Sequence, residues 1–302
     1  MSARKSRKNA PALVLFVTGK GGAGKTFVAE ALGRAAAARG LRTAIISAAG
    51  ENGAAGSETD ENEDGGAVRI RWTPNEALGR LLLQTVRLRF LANRLLDSST
   101  FTAVVDAAPG VADLAFLALI DEIARDKSAY GSYDLVVVDG PASGHSMAAL
   151  KAPGYIAKVA AVGPAAAVVA RTSQLIASPR RFRPVLVCPP EELAVVETLA
   201  FLGEMRSDGI APASVVANAT YPSPGNEPQL RWLREHRVDR DAELYIARLD
   251  RQTALLDRLR EAAPTLCLIP RAFFEPPKDA IEHVLDAVLA KPAGRNAPRS
   301  TA

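Results

Sequence analysis

Along its 302 residues the chain alternates between short, continuous apolar runs and longer stretches with helical spacing. Leu13 to Val17 is the first apolar run; it stops at a glycine-rich turn and reads as a buried strand. Phe27 to Arg39 follows, alanine-rich, with apolar residues at helical spacing. Thr43 to Ser47 predicts a second strand, reached by way of Gly40. Residues 51–67 are acidic, glycine-rich and aperiodic, the pattern of a mobile loop. Arg69 to Trp72 predicts a short strand. From Asn75 to Asp126 the period becomes helical: Leu78, Leu81, Leu82 and Thr85 recur along one face, with Arg80, Arg87, Arg89 and Arg94 among them. Pro109-Gly110 breaks this run before an apolar helix over Val111 to Ala124. Tyr133 to Val138 predicts a third buried strand, followed by a glycine-containing loop and a helix. Further strands are predicted over Val159 to Val162, Pro184 to Cys188, Ser214 to Asn218 and Thr265 to Ile269. Helices over Ala194 to Arg206, about 226–236 and 250–262 separate the later ones, and Asp279 to Leu289 closes the pattern. Strands alternating with helices argue for an α/β fold with a doubly wound, mostly parallel sheet. No internal repeat is visible, so a single unit is expected.

Composition narrows this only slightly. The 48% hydrophobic content is ordinary for a globular domain. The length suits one large domain over 11–289 with a helical subdomain at roughly 75–130. The formal net charge is +4, and part of it lies in two polar ends. Residues 1–10 read as a disordered basic arm and 290–302 as a disordered tail. Such an arm is first a solubilising tail; contact with nucleic acid or an anionic membrane is the minority reading. Cys188 and Cys267 stand far apart in apolar runs and read as buried thiols, with no C-x-x-C pair to clip a metal. No apolar run reaches the length of a membrane span and no signal peptide is recognised before the first strand, so the expected location is cytoplasmic.

The chemistry begins where the first strand ends. Gly19 to Thr26 matches G-x-x-x-x-G-K-[ST] in the strand–turn–helix context that makes the pattern a phosphate loop. Gly19, Gly21, Gly22 and Gly24 leave room for the backbone to curl around phosphates, with Ala23 and Phe27 also in the loop and the first helical turn. The helix that starts near Gly24 adds the positive end of its dipole. Lys25 is placed to reach the β- and γ-phosphates of ATP, and Thr26 to hold Mg²⁺. Asp139, at the C-terminal end of the third strand, can hold a Mg²⁺-bound water.

The loop is a variant with two lysines, Lys20-Gly-Gly-Ala-Gly-Lys25-Thr, and resembles the deviant Walker A loop. That loop belongs to a class including the arsenite-pump ATPase, the tail-anchored-protein targeting ATPase, division-site and partition ATPases, and nitrogenase iron protein. Four further segments resemble the arsenite-pump and tail-anchored-targeting (ArsA-like) branch. Asp139-Gly-Pro-Ala-Ser-Gly-His145-Ser146 is similar to its switch II segment, D-T-A-P-T-G-H-T. Pro109-Gly110 is similar to the P-G that opens a helix of its helical subdomain. Pro190-Glu191 through Glu197-Thr198 is similar to its P-E…E-T segment. Val215 to Asn218 with Tyr221-Pro222 is similar to the strand whose asparagine recognises adenine. The resemblance implies a P-loop ATPase fold with an inserted helical subdomain, using ATP and Mg²⁺. It implies Lys20 as the lysine that crosses a dimer interface to the partner's nucleotide. Asn218 is implied at the adenine, with Pro270, Arg271 and Phe273 flanking the base, and His145 in a packing or switch role. The partner implied is a second copy or an ArsA-like paralogue across the nucleotide face, acting on an unknown client protein; without a C-x-x-C there is no zinc clamp.

One departure matters for activity. The family continues its second strand into S-T-D-P-A-H, whose aspartate orients the attacking water, whereas Ser47-Ala48-Ala49-Gly50 holds no acid. Glu51, Asp60 or a residue from a partner subunit stay open as substitutes. Some bacterial relatives that this chain resembles are also altered here, and are thought to act as paired, unlike subunits. Three methionines give no Met-rich groove, and two cysteines cannot form an arsenite triad. The expected function is a dimeric ATPase whose nucleotide state moves the helical subdomain on a client. The alternatives are a nucleotide-binding regulatory subunit with little hydrolysis and, behind it, a partition-type ATPase on DNA or membrane.

Overall fold

A computed structural model describes residues 10–48, 59–60, 66–85, 110–125, 130–158, 160, 162–236, 239–272 and 277–290. Its elements run β1 (Leu13–Gly19), α1 (Lys25–Ala38), β2 (Thr43–Ala48), β3 (Thr59–Asp60), β4 (Val68–Trp72), α2 (Pro74–Thr85), α3 (Val111–Ala124), β5 (Leu135–Ala142) and α4 (Ser143–Ile156). There follow α5 (Gly163–Ile176), β6 (Phe182–Cys188), α6 (Glu192–Ser207), β7 (Ser214–Thr220), α7 (Glu227–His236), α8 (Arg240–Ala262), β8 (Leu266–Pro270) and α9 (Lys278–Leu289).

The strands form one sheet in the order β3-β4-β2-β5-β1-β6-β7-β8. All neighbours pair in parallel except the two-residue β3, which runs antiparallel to β4. β1 lies at the centre, with Val17 beside Asp139 on one side and Val185 on the other. Side chains of a strand alternate between faces, so β1 feeds two cores. Leu15 and Val17 pack under α1 (Val28, Leu32, Ala36) and α9 (Ile281, Val284, Leu285). Val14 and Phe16 join the other core, with α2, α3, α4, α5, α6 and α8. Phe16 sits 5.4 Å from Phe182 and 6.4 Å from Phe116 between ring centroids, and Trp72 stacks on Phe116 at 4.3 Å. Phe16, Phe116 and Phe182 are buried, and each contributes roughly 1.5–3 kcal/mol in transfer free energy. This explains why the doubly buried strands read as continuous apolar runs.

α3 is almost wholly buried, from Leu114 to Ala124 except Glu122, in the core under the sheet. Within the described residues α3 packs on β5, and α2 packs on α3 and α5. Pro109, the arginines at 87, 89 and 94, Glu51, Phe273 and the two ends at 1–9 and 291–302 lie outside the described residues.

Three boundaries differ from the sequence pattern. No strand forms at Ala160 or Val162, while Val159 and Ala161 lie outside the described residues. Val162 is 85% exposed as the N-cap of α5, whose Pro at the first helical turn commits the chain to a helix. α8 begins at Arg240, ten residues before the predicted start. Its early turns bury only Ile246 and Leu249, too sparse a stripe to show a period, although Asp239 accepts from Ala242 N at 2.7 Å as an N-cap. Finally, β5 extends through Gly140, Pro141 and Ala142, and α4 starts at Ser143. The segment predicted as a loop is thus strand end and helix start.

Candidate functional site

The loop between β1 and α1 is shaped by close backbone approaches. A Cβ on Gly19 would lie 2.1 Å from the Val187 carbonyl oxygen of β6, so only glycine allows these strands to meet there. Gly24 is the N-cap of α1 with φ +89°, and a Cβ on it would meet Asn218 Nδ2 at 2.2 Å. Ala23 N donates to Lys20 O at 3.2 Å and closes the turn. Side chains added at Gly21 or Gly22 would touch nothing within 4 Å, so this stretch faces open space. α1 has no side-chain cap and no acid in its first turn. Its first amides thus present an uncompensated positive end to that space.

Polar groups converge on the same end of the sheet. Thr26 Oγ1 donates to Asp139 Oδ2 at 2.7 Å, joining α1 to the end of β5. Burial pushes the Asp139 carboxyl above the usual carboxylate range; the Thr26 hydrogen bond and the Lys25 charge pull it back, and Glu30 adds to the rise. Lys25 Nζ folds onto Lys20 O at 3.3 Å. Lys20 Nζ pairs with Glu197 Oε1 of α6 at 3.2 Å. Both partners of that pair are partly exposed, so it contributes no more than about 1 kcal/mol.

At the far side of the loop Asn218 is 8% exposed and its Nδ2 donates to Ala23 O at 2.9 Å. β7 bulges just beyond it: Ala219 holds φ +57°, and Arg271 N donates to Thr220 O at 2.8 Å beside Pro270. Gln252 of α8 grips the next residue at both ends, accepting from Tyr221 N at 2.7 Å and donating to Tyr221 O at 3.1 Å. The Tyr221 ring carries the guanidiniums of Arg271 at 5.1 Å and Arg248 at 5.8 Å. No local pattern marks Gln252, which meets Tyr221 only through the packing of α8 on β7.

β5 and α4 are tied to the loop from below. Thr18 Oγ1 lies 3.0 Å from Pro141 O and 2.7 Å from Ser146 Oγ, which lies 2.9 Å from Pro141 O. Two hydroxyl protons serve three short contacts, so the strand before the loop and the segment after Asp139 share one buried knot. His145 is exposed in the first turn of α4 and its charge is felt by Asp113 of α3, whose carboxyl burial pushes up. β2 ends at Ser47-Ala48 with no acid, and Asp60 and Arg69 face each other in the β3–β4 register. Glu30 is held by Arg69, with Nη2 to Oε2 at 3.0 Å. Cys188 and Cys267 are buried free thiols, the first pushed up to about 11 by burial. Among the described residues no helix is long and apolar enough to cross a membrane.

Comparison with known sequences agrees with this geometry. Residues 14–273 match the family described as the CobQ/CobB/MinD/ParA nucleotide binding domain. The chain is 28% identical over 243 residues to ATPase BagA of Mycobacterium tuberculosis, covering 75% of this chain and 71% of that protein. It has the same likeness, over the same shares, to "Putative ATPase Mb3704" of Mycobacterium bovis. With a phosphate loop at the end of the central strand and a match over most of its length, the chain belongs to the CobQ/CobB/MinD/ParA nucleotide-binding domain family.

Proposed function

We propose that the protein is a Mg²⁺-ATP-dependent ATPase of the arsenite-pump-like branch, working as a dimer across its nucleotide face. The observation that carries this reading is the Thr26–Asp139 hydrogen bond at 2.7 Å, next to Lys25 and the uncapped start of α1. A hydroxyl and a carboxylate in contact are the donor set a hard cation takes from a P-loop site, with its other ligands coming from phosphates and water. The open space over Gly21 and Gly22 fits a phosphate chain. When bound, Mg²⁺ would neutralise charge on the phosphates. The chain's own residues bind and orient: loop amides and Lys25 hold the phosphates, Asn218 keeps the loop's shape, and Pro270 and Arg271 flank the base. Asp139, kept partly desolvated, gains from a nearby cation, which restores the charge that burial disfavours. Lys20 would exchange its weak pair with Glu197 for the partner's nucleotide. The Thr18–Ser146–Pro141 knot would pass the nucleotide's state to α4 and, through His145 and Asp113, to α3 and the client-facing helices.

A specific observation favours a second reading, a regulatory subunit with little hydrolysis of its own. β2 ends without an acid, and Glu30 is engaged by Arg69. Steady-state ATP hydrolysis by the purified protein, with Lys25→Ala as background, separates the two. Turnover well above that background supports the autonomous ATPase. ATP binding with no turnover above it transfers the assignment to a regulatory subunit completed by a paralogue, and absence of ATP binding rejects both.

A further inference from the structure

A second cluster of charge lies at the opposite end of the sheet. Ala12 N donates to Ala124 O and Val14 N to Arg181 O, both at 2.7 Å. These bonds place the end of α3 and the turn before β6 at the N-terminal edge of β1, away from the phosphate loop. There Asp121, only 3% exposed, draws in three guanidiniums from separate parts of the chain. Arg125 Nη2 lies 3.0 Å from Oδ2, Arg171 Nε of α5 lies 3.7 Å from Oδ2, and Arg181 Nη2 lies 3.6 Å from Oδ1.

One carboxylate does not satisfy these donors. Arg125 Nη2, Arg171 Nε, Arg181 Nε and Arg181 Nη2 are buried without a hydrogen-bond acceptor. They are four of the six such side-chain atoms among the described residues, so the shortage of acceptors is concentrated here. Three of the four face the Asp121 carboxylate as ion pairs without a well-aligned hydrogen bond, and Arg181 Nε has no acceptor among the described residues, so the donors here outnumber what one carboxylate can accept. Among the described residues, Glu122 takes Gln84 at 3.0 Å and Arg80 at 3.5 Å, and Arg171 Nη2 donates to Gln84 Oε1 at 2.9 Å. Three positive charges against the one Asp121 carboxylate leave a surplus of two among the described residues. The side chains of Arg125, Arg171 and Arg181 are 39%, 38% and 31% exposed, so the cluster opens to solvent on one side.

We propose that Arg125, Arg171 and Arg181, ordered by Asp121, form a second anion site that takes a phosphate dianion, free or as the phosphomonoester of a small molecule. Planar guanidinium forks pair two-pronged with phosphate oxygens, and a phosphomonoester near neutral pH carries about −1.5 to −2 charge, matching the surplus. A carboxylate ligand would bring one negative charge and leave the surplus half met. Asp121 holds the three forks together while its single charge leaves room for the ligand's.

The test is calorimetric titration of the full chain with inorganic phosphate and, separately, glycerol phosphate, in two backgrounds that remove the phosphate loop from competition. One is Lys25→Ala protein; the other is wild type saturated with Mg²⁺ and a non-hydrolysable ATP analogue. One phosphate per chain is expected in both backgrounds. Arg171→Gln and Arg181→Gln should each weaken it at least tenfold while leaving ATP-analogue affinity unchanged. Asp121→Asn should bind phosphate several-fold tighter, and phosphate should recover its lost melting temperature, which a purely structural carboxylate would not produce. Binding of inorganic phosphate alone identifies the free anion as ligand, and binding of both identifies the phosphomonoester. No phosphate binding in the wild-type background, or an affinity unchanged from wild type in both arginine variants, overturns the proposal.

Discussion

Asn218→Ala separates two jobs that the geometry gives to one amide. The Asn218 side chain donates to Ala23 O at 2.9 Å, across 195 residues of sequence, and Ala23 itself is only 3% exposed. Truncation leaves that carbonyl without its donor, and a buried acceptor so orphaned costs roughly 1–3 kcal/mol. The cost falls on the phosphate loop, because Ala23 precedes the residue that caps α1. If binding needs the loop in this shape, affinity for the phosphate chain drops by the same free energy, roughly 5- to 150-fold. The assay is calorimetric binding of Mg²⁺-ATP and of Mg²⁺-tripolyphosphate, which carries no base, to wild type and variant. Both affinities should fall by similar factors, with any additional loss for ATP measuring base recognition. Unchanged tripolyphosphate affinity in Asn218→Ala would refute the buttress argument and leave the residue a reader of the base alone. Gly24→Ala attacks the same contact from the other side, through a Cβ 2.2 Å from Nδ2 and a backbone at φ +89°. Combining it with Asn218→Ala relieves the clash but keeps about 1–2 kcal/mol of left-handed strain, so the double variant should bind more weakly than Asn218→Ala alone.

Three other substitutions probe separate links. The Asp139 carboxyl is raised by burial, so the fold holds its proton more tightly than the unfolded chain does. Its contribution to stability is full below the unfolded value, about 3.9, and is lost as pH rises through the raised folded value. Without nucleotide, Asp139→Asn should therefore melt higher than wild type at pH 7, with the gain shrinking toward pH 4; equal melting at pH 7 contradicts this. Lys20→Ala gives up only a half-exposed pair with Glu197 and should keep ATP binding while losing dimerisation with a non-hydrolysable analogue, as read by size-exclusion chromatography. Unchanged dimerisation removes Lys20 from the interface. Gln252→Ala deletes two bonds to the Tyr221 backbone and should cost roughly 1–3 kcal/mol in denaturant unfolding, while a loss under about 0.5 kcal/mol would mean that β7 holds its bulge unaided.

How much of this was legible in the chain follows from the range of each interaction. All seven parallel strands lie where the pattern predicts, and the inner five, β1, β2, β5, β6 and β7, are buried on both faces and show as apolar runs. The phosphate loop is local, eight consecutive residues whose glycines, lysine and threonine carry their meaning wherever a strand and a helix flank them. Where burial is thin the pattern fails. The early turns of α8 bury two side chains, and β3 is two residues long. The apolar run that ends at Val162 predicts a strand, whereas Gly163-Pro164 starts a helix there.

The nucleotide-binding class is written locally, because helical and strand periods and a glycine-rich loop are encoded by neighbours along the chain. Tertiary structure alone decided which side chains meet. It put Asn218 against Ala23, Lys20 against Glu197, Gln252 against Tyr221 and both Arg171 and Arg181 against Asp121. Hydrogen bonds and ion pairs act over a few ångströms, whereas these partners come from distant strands, turns and helices. Only the order in which the sheet stacks its strands makes them neighbours.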